Sequence, residues 1–466
     1  MNFERKLDCK LICSIIATGV LTLLGIVVET SMNVAFPTIM DEFGVGTSQV
    51  QWLTTGYLLA TAIIIPISAF LKKRFKMKSL FISAIILFLL GTLLCYLAPS
   101  FSVLLLGRII AGCGTGLSMP LMFNIVVDQT PFENMGFVMG IATMITAIGP
   151  AVGPTYGGLM VDAFGWRMIF LALVPILVVA LILGVFTIRQ SSETERISLD
   201  VAGFLTLGCC FVALVLGINF GGVYGWSDVK TVILFIAAII FLAAFIINEN
   251  KNSAPLIHLE IFENKCFLFS ALTLFMMYVI AIGMGYLVPN YAQIVLNGTA
   301  TESGVILLPG CILGIVLTSI AGKVYDRVGA KYPLIIGGIF VVIGLSLYII
   351  PDTLSIAQMR NFYFVYTFGQ SFFVGNTTTH GVSSVNAKLK ADANAVNNTV
   401  QQLSSSIGMG IVTTIVAIAQ SQQPDAIIGT KIGMHSAFIC VVCAGVLAFI
   451  FTILALVFDD ERRGDK

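Results

Sequence analysis

Two ionisable side chains, Glu29 and Arg108, stand deep inside long apolar stretches of the sequence, where they could carry proton chemistry. Glu29 follows an apolar run that starts near residue 13, and Arg108 lies within LLLGRIIAGCGTG. An ionisable group at membrane depth costs several kcal/mol, so it is a functional hypothesis by default. A carboxyl group balanced between desolvation and a nearby cation can bind and release protons near neutral pH. We expect Glu29 and Arg108 to form a proton-coupling pair; the alternatives are a helix-packing hydrogen bond for Glu29 and a structural tie to helix carbonyls for Arg108.

The elements that position this pair must lie in lipid. Hydrophobic residues make up 58% of the 466-residue chain and charged residues 11%, whereas soluble domains carry roughly 25% charged residues. A bilayer core of about 30 Å needs about 20 apolar residues per spanning helix, and unsatisfied backbone groups force each span to be helical. Charges and Pro/Gly punctuation predict fourteen spans, at 13–37, 50–71, 79–97, 102–127, 135–160, 168–187, 201–221, 230–247, 266–289, 303–322, 332–350, 360–385, 396–420 and 434–457.

The distribution of basic residues predicts that both termini lie in the cytoplasm. With this topology, 20 of the 25 Lys and Arg residues fall in cytoplasmic segments, as the positive-inside rule requires. The three tryptophans, Trp52, Trp166 and Trp226, fall at outer helix ends or loops, where an interfacial aromatic belt is expected. The sequence therefore predicts an all-α integral protein of the cytoplasmic membrane.

Several classes of function find no support in the sequence. The ten cysteines form no disulfide framework, and no metal-ligand spacing appears. No G-x-x-x-x-G-K-[ST] loop for ATP occurs, nor a Ser/His/Asp, di-acid or His-cluster constellation of an enzyme. A net charge of +1 does not indicate a nucleic-acid partner. We expect no cofactor, no metal and no catalytic residue, and a monomer whose partners are the bilayer, protons and a small molecule.

An internal repeat relates the two ends of the chain. The loop at 69–78 aligns with the loop at 322–331 at a constant offset, which places Arg74 over Arg327. Spans one to six then correspond to spans nine to fourteen, as in transporters built from two six-helix halves. The alternative is that short basic loops resemble each other through the positive-inside bias alone. The predicted units are an N-terminal half at 1–190, an inserted two-helix segment at 191–264 and a C-terminal half at 265–466.

Polar and aromatic residues within the spans are candidates for a substrate cavity between the halves. Polar side chains in a span face a cavity or neighbouring helices rather than lipid. The candidates are Asn33, Tyr57, Met119, Phe123, Gln370, Asn376, His380, Asn398 and Gln402. The alternative for most of them is helix packing, and for the aromatic residues contact with lipid.

Span five contains two Gly-Pro pairs and a Gly-Gly pair. Proline bends a helix, and glycine allows close approach of a neighbouring backbone. The residues are Gly149, Pro150, Gly153, Pro154, Gly157 and Gly158. A kinked, tightly packed helix between the halves would suit a rocking motion; the alternative is ordinary small-residue packing.

With these motifs in place, the whole chain resembles the fourteen-span drug:proton antiporters of the major facilitator superfamily. Gly322, Asp326, Arg327, Gly329 and Lys331 match the superfamily's cytoplasmic loop motif, G-x-x-x-D-R-x-G-x-K. Arg108 and its following glycines are similar to the fourth-helix arginine motif, and the Gly-Pro pairs are similar to the fifth-helix antiporter motif. The segment 29–37 is similar to the first-helix motif of the fourteen-span group, with Glu29 where Asp is usual.

The resemblance implies the major facilitator fold and a secondary transporter that exports hydrophobic or cationic small molecules in exchange for protons. The first copy of the loop motif departs from the pattern, because Lys73 replaces its Asp and Ala69 and Lys76 replace its glycines. Asp326 is then expected to carry the role of that carboxylate alone. The alternatives are a transporter of the same fold for a lipid precursor, peptide or metabolite, and a membrane enzyme or receptor.

Overall fold

The computed structural model describes residues 8–131, 134–191, 194–195, 199–252, 255–386 and 389–464, and the chain in these ranges is built from long α-helices. The first six helices are α1 (Cys9–Phe43), α2 (Thr47–Ile67), α3 (Met77–Tyr96), α4 (Phe101–Gln129), α5 (Met135–Phe164) and α6 (Met168–Thr187). A pair follows, α7 (Val201–Tyr224) and α8 (Val229–Lys251). The last six are α9 (Lys265–Ile294), α10 (Ala300–Val328), α11 (Lys331–Ile349), α12 (Ile356–Ser384), α13 (Lys390–Gln422) and α14 (Ala426–Gly464).

Length and apolar composition qualify 13 of the helices in the described residues as membrane spans. The helix outside this set is α12, which has 29 residues but carries the polar run Asn376–His380. The prediction of an all-α integral membrane fold is confirmed. The count of fourteen spans and the cytoplasmic termini stay predictions, because α12 is less apolar than its neighbours.

The helices pack in two groups. In the first, α4 packs against α1, α2 and α3, while α5 packs along α1. In the second, α12 packs against α9, α10 and α11, while α14 packs against α9, α11 and α13. The pair α7 and α8 packs on the outside, where α7 contacts α13 and α2. The main buried core runs through both groups.

Glycine allows the same close helix approach in both groups. A Cβ on Gly91 of α3 would lie 2.5 Å from the backbone nitrogen of Ala111 in α4. A Cβ on Gly344 of α11 would lie 2.5 Å from the backbone nitrogen of Tyr366 in α12. Gly91 and Gly344 are separated by the same number of residues as Arg74 and Arg327. This correspondence is what an internal repeat would produce, although the boundaries near residues 190 and 264 stay a prediction.

Trp166 is placed where α5 turns into α6, but its side chain does not form part of an aromatic belt. Its indole is 2% exposed and donates a hydrogen bond of 2.6 Å to Glu42 Oε2. Arg167 forms an ion pair of 2.6 Å with the same carboxylate. These contacts fasten the end of α1 to the start of α6. Trp226, by contrast, is 54% exposed, as an interfacial residue should be.

Candidate functional site

Arg108 lies at the centre of a polar cluster between α1, α2 and α4. Its side chain is fully buried. Its Nε donates a hydrogen bond of 2.9 Å to the carbonyl oxygen of Leu53, and its guanidinium carbon lies 4.2 Å from the centre of the Tyr57 ring. The two terminal nitrogens find no hydrogen-bond partner among the described residues. Arg108 is therefore both tied to a helix carbonyl and left with unused donors, which is uncommon for a buried cation.

Glu29 is the carboxylate that interacts electrostatically with Arg108. It is half-buried on α1, and the two charges are close enough to act on each other without forming an ion pair. One turn earlier, the Gly25 carbonyl accepts a 2.9 Å hydrogen bond from the Tyr57 hydroxyl. The same hydroxyl lies 2.6 Å from Thr115 Oγ1 on α4. The proton-coupling role of Glu29 and Arg108 stays a prediction; Tyr57 contacts α1 one turn before Glu29 and stacks against Arg108.

The glycines of α5 seat this helix against the part of α1 that carries Glu29. A Cβ on three of these glycines would meet α1: on Gly149 it would meet Ile26, on Gly153 Thr30 and Val27, and on Gly157 Ser31. The Ser31 hydroxyl donates a hydrogen bond of 2.8 Å to the carbonyl oxygen of Gly153. Pro150 is exposed and Pro154 is buried. A shift of α5 would therefore displace the residues of α1 on both sides of Glu29.

The other end of the α5 motif contacts the second helix group. Thr155 Oγ1 donates to the Gly304 carbonyl at 3.3 Å, and Gly158 meets the backbone of Ala300. Asp162 accepts hydrogen bonds from the backbone nitrogens of Ala300 at 3.2 Å and Thr301 at 2.7 Å. A carboxylate at a helix N-terminus satisfies free N–H groups and complements the helix dipole. Asp162 thus caps α10 across the boundary between the groups.

Further hydrogen bonds join the two groups at this same end, where α1 ends and α10 begins. We call it the closed end because these hydrogen bonds hold the groups together. Asn290 Nδ2 donates to the carbonyl oxygen of Asn33 at 2.9 Å, and Gln293 Nε2 donates to that of Val34 at 2.9 Å. Thr47 Oγ1 donates to Gln420 Oε1 at 2.8 Å. Backbone carbonyls and amide side chains dominate this contact, so it can separate without leaving a buried charge.

The nine predicted cavity residues are distributed over α1, α2, α4, α12 and α13 rather than gathered in one place. Asn33 belongs to the closed end, where its Oδ1 also accepts from Thr54 at 3.1 Å. Tyr57 belongs to the Arg108 cluster. Met119 is 6% exposed and Phe123 half-buried on α4.

The remaining cavity candidates lie on α12 and α13. His380 is buried with its Nε2 3.4 Å from Cys266 Sγ on α9. Asn376 Nδ2 donates a hydrogen bond of 2.8 Å to the carbonyl oxygen of Phe372 in its own helix. Both are buried in the packing of the second group. Gln370 and Asn398 are half-buried, whereas Gln402 is 5% exposed.

The loop motif between α10 and α11 lies at the opposite end of the molecule. Gly322 is half-buried, whereas the other four motif residues, Asp326, Arg327, Gly329 and Lys331, are exposed. Gly329 adopts φ +79°, a left-handed conformation that requires glycine. Arg74 in the first copy is also exposed.

Asp128, a carboxylate at the end of α4, lies at this same end of the molecule. It forms an ion pair of 2.8 Å with Lys72 and accepts a hydrogen bond of 3.2 Å from Ser191 Oγ. The first loop copy is thereby fastened to α4 of its own group. In the sequence, Asp128 directly follows the apolar run of α4, a position that marks it as a carboxylate at a helix end.

Comparison with known proteins identifies the family. The family model described as Major Facilitator Superfamily matches residues 18–409. The lincomycin resistance protein LmrB of Bacillus subtilis is 32% identical over 402 residues, covering 85% of this chain and 84% of its own length. The multidrug transporter protein MdtP of Bacillus subtilis is 31% identical over 316 residues, covering 68% and 58%. A bacterial homologue of the human lysosomal transporter Spinster, in an inward-facing conformation, superposes with a TM-score of 0.68 at 16% identity, covering 97% of this chain and 99% of its own.

Proposed function

The chain belongs to the Major Facilitator Superfamily, and from that premise we propose that it exports hydrophobic or cationic small molecules in exchange for protons. The observation that carries the proposal is the cluster of Glu29, Tyr57 and Arg108. A buried arginine with unused donors beside a half-buried carboxyl group is sensitive to whether that carboxyl group is charged. Protonation of Glu29 then changes the balance of interactions among α1, α2 and α4.

The packing of α5 supports a route from this cluster to alternating access. Its glycines contact α1 on both sides of Glu29, and its far end contacts α10 in the other group. The proposed cycle uses protonation of Glu29 to shift α1 against α5 and thereby loosen the closed end. Both six-helix halves, fourteen spans and cytoplasmic termini belong to this proposal, which places the closed end outside and the loop motifs inside.

The proposed substrate class rests on the names of the relatives and on the residues between the halves. One relative is named for lincomycin resistance and another for multidrug transport. We further propose that Phe123, Gln370 and Asn398, which are half-buried, line the cavity between the halves, where they would suit an apolar molecule with a few polar groups. We propose a monomer in the cytoplasmic membrane, with no cofactor.

Substrate-induced proton release from the purified protein in detergent tests this proposal. Ethidium should release protons from the wild type and from Glu29→Asp, which keeps a carboxyl group. It should release none from Glu29→Gln, which keeps the shape and hydrogen-bonding capacity but cannot titrate. Asp41→Asn removes an exposed carboxylate from the same helix and should behave as the wild type. Undiminished release from a well-folded Glu29→Gln protein would remove Glu29 from the mechanism.

A further inference from the structure

A cavity of about 620 Å³ lies outside the region between the two groups. It is enclosed by the first half of α7, the last half of α8, the segment at 256–263 and the first half of α13. Ligand-binding cavities commonly measure about 300–1,000 Å³. The size of this one therefore matches a small organic molecule.

The walls of the cavity are apolar and partly aromatic. Phe211 and Phe245 are 6% and 4% exposed, and Phe262 closes the cavity on the side of the segment. From α13, the lining residues are Val396, Thr399, Val400 and Leu403. Their spacing of i, i+3, i+4 and i+7 defines a single helix face, so one side of α13 is committed to this cavity.

Two polar contacts hold the segment at 256–263 in place. The backbone nitrogen of Ile257, which lines the cavity, donates a hydrogen bond of 3.1 Å to Glu249 Oε2 on α8. His258 Nδ1 lies 2.6 Å from Asp392 Oδ2 on α13. The segment is thus fastened to both helices that it bridges, so the cavity is a built feature of the fold.

The charged side chains among the described residues that line the cavity are acidic. Glu260 and Glu263 line it from the short helix Leu259–Glu263, and both are exposed at its mouth. Neither lysine nor arginine is among the described residues that line it. Carboxylates beside aromatic and aliphatic walls favour a molecule that combines an apolar body with a positive charge, and they repel anionic lipid headgroups.

We propose that this cavity, which is lined by α7, α8, the segment at 256–263 and α13, is a second binding site that takes amphipathic cations. Further along α13, Ser406 donates a 3.2 Å hydrogen bond to the Thr55 carbonyl of α2 in the first group. The helix α13 therefore contributes both to the cavity wall and to the contact between the two groups. In the proposed topology the cavity opens at the inner surface of the membrane, where cations partition before export.

Protection of an introduced thiol tests the site directly. In a background without accessible native cysteines, Thr399→Cys places the reporter on the cavity wall, and Leu403→Cys gives a second reporter. Tetraphenylphosphonium should slow the reaction of either thiol with N-ethylmaleimide in the purified protein. Tetraphenylborate, which has nearly the same shape and the opposite charge, should not.

Removal of the two carboxylates provides the decisive comparison. With Glu260→Gln and Glu263→Gln together, half-maximal protection should need about tenfold more tetraphenylphosphonium. Asp352→Asn, an exposed carboxylate in the loop before α12, should leave the protection unchanged. The proposal would be overturned, in favour of a gap filled by lipid, if the cation and the anion protected the thiols equally. It would also be overturned if protection were unchanged by Glu260→Gln and Glu263→Gln. Failure of both thiols to react would also overturn it, because the cavity would then be closed to small molecules.

Binding at this cavity is measured without transport, so it does not depend on the proposed exchange of protons. Ethidium efflux by cells that carry the same variants is recorded in parallel. Loss of proton-driven efflux only in Glu29→Gln, with thiol protection intact, would separate the two sites. Absence of any efflux by the wild type would count against the proposed function and leave the second site standing.

Discussion

A methyl group added at Gly153 should disturb the contact between α5 and α1. A Cβ at this position would clash with Thr30 Oγ1 and would lie 3.0 Å from both Thr30 Cβ and the Val27 carbonyl oxygen. The Thr30 hydroxyl is itself bonded to the Ile26 carbonyl at 2.9 Å. In Gly153→Ala, either Thr30 must leave this rotamer or the two helices must separate.

The expected size of the effect follows from two opposed contributions. Forcing an extra carbon into a packed interface costs about 1–3 kcal/mol. Replacing glycine by alanine within a helix favours the helix by about 1 kcal/mol. Gly140 supplies a matched control on the same helix, because a Cβ there would meet nothing within 4 Å. Gly140→Ala should therefore be neutral or stabilising, and the difference between the two variants isolates the packing cost of about 1–3 kcal/mol.

The assay combines thermal unfolding of the purified proteins in detergent with ethidium efflux. Gly153→Ala should unfold at a lower temperature than Gly140→Ala and should lose most of its efflux, because the displaced turn of α1 carries Glu29. Thr30→Ala in the Gly153→Ala background removes the clashing oxygen and should restore part of both properties. Recovery should be incomplete, since the two Cβ atoms would still be about 3.0 Å apart. If Gly153→Ala unfolded no earlier than Gly140→Ala and transported like the wild type, the proposed α5–α1 coupling would be refuted.

Three further predictions address the cluster, the loop motif and the topology. Tyr57→Phe removes two hydrogen bonds but keeps the ring beneath Arg108, so it should lower the free energy of unfolding by about 1–2 kcal/mol, whereas Tyr57→Leu should cost more; equal unfolding of both variants would argue against the stacking. Asp326→Asn should slow efflux more than Lys73→Ala, measured at equal expression, and the reverse order would show that the first loop copy dominates. With accessible native cysteines removed, Ser227→Cys should react with an impermeant thiol reagent in intact cells and Ser79→Cys should not; labelling at Ser79→Cys would exclude the proposed orientation.

The apolar periodicity of this chain predicts most of the fold because lipid leaves helices as the practical way to satisfy the backbone. The limits of the spans are less predictable: α9 continues to Ile294 although the predicted span stops at 289. Helices extend past the apolar run wherever neighbouring helices and loops cover their ends. The polar character of α12 shows the converse, since a helix surrounded by α9, α10 and α11 need not be apolar on every face.

The candidate site was predictable in its residues but not in its contacts. The burden of a charge in lipid singles out Glu29 and Arg108 from sequence alone. The role of Tyr57 depends on how α2 is rotated against α4, and tertiary packing sets that rotation. For the same reason, nothing in the sequence distinguishes His380, buried against Cys266, from a histidine that faces a cavity. The cavity at α7, α8, the segment at 256–263 and α13 is formed by four separate segments of the chain. A local sequence pattern therefore could not predict it.

The two ends of the molecule differ in how their charges are used. At the closed end, Asp162 reaches across the boundary to cap α10. At the opposite end, two ion pairs of the described residues lie within the first group: Lys72 pairs with Asp128, and Arg189 pairs with Asp8 at 2.6 Å. In the first loop copy, Lys72 binds α4 through Asp128, whereas Lys73 and Lys76, which depart from the family pattern, are exposed. Asp326 is exposed and enters no ion pair among the described residues, so in the proposed cycle it is a carboxylate that can form a new contact when this end closes. The closed state of that end should therefore depend on the second loop copy, and the closed state seen here on Asp162.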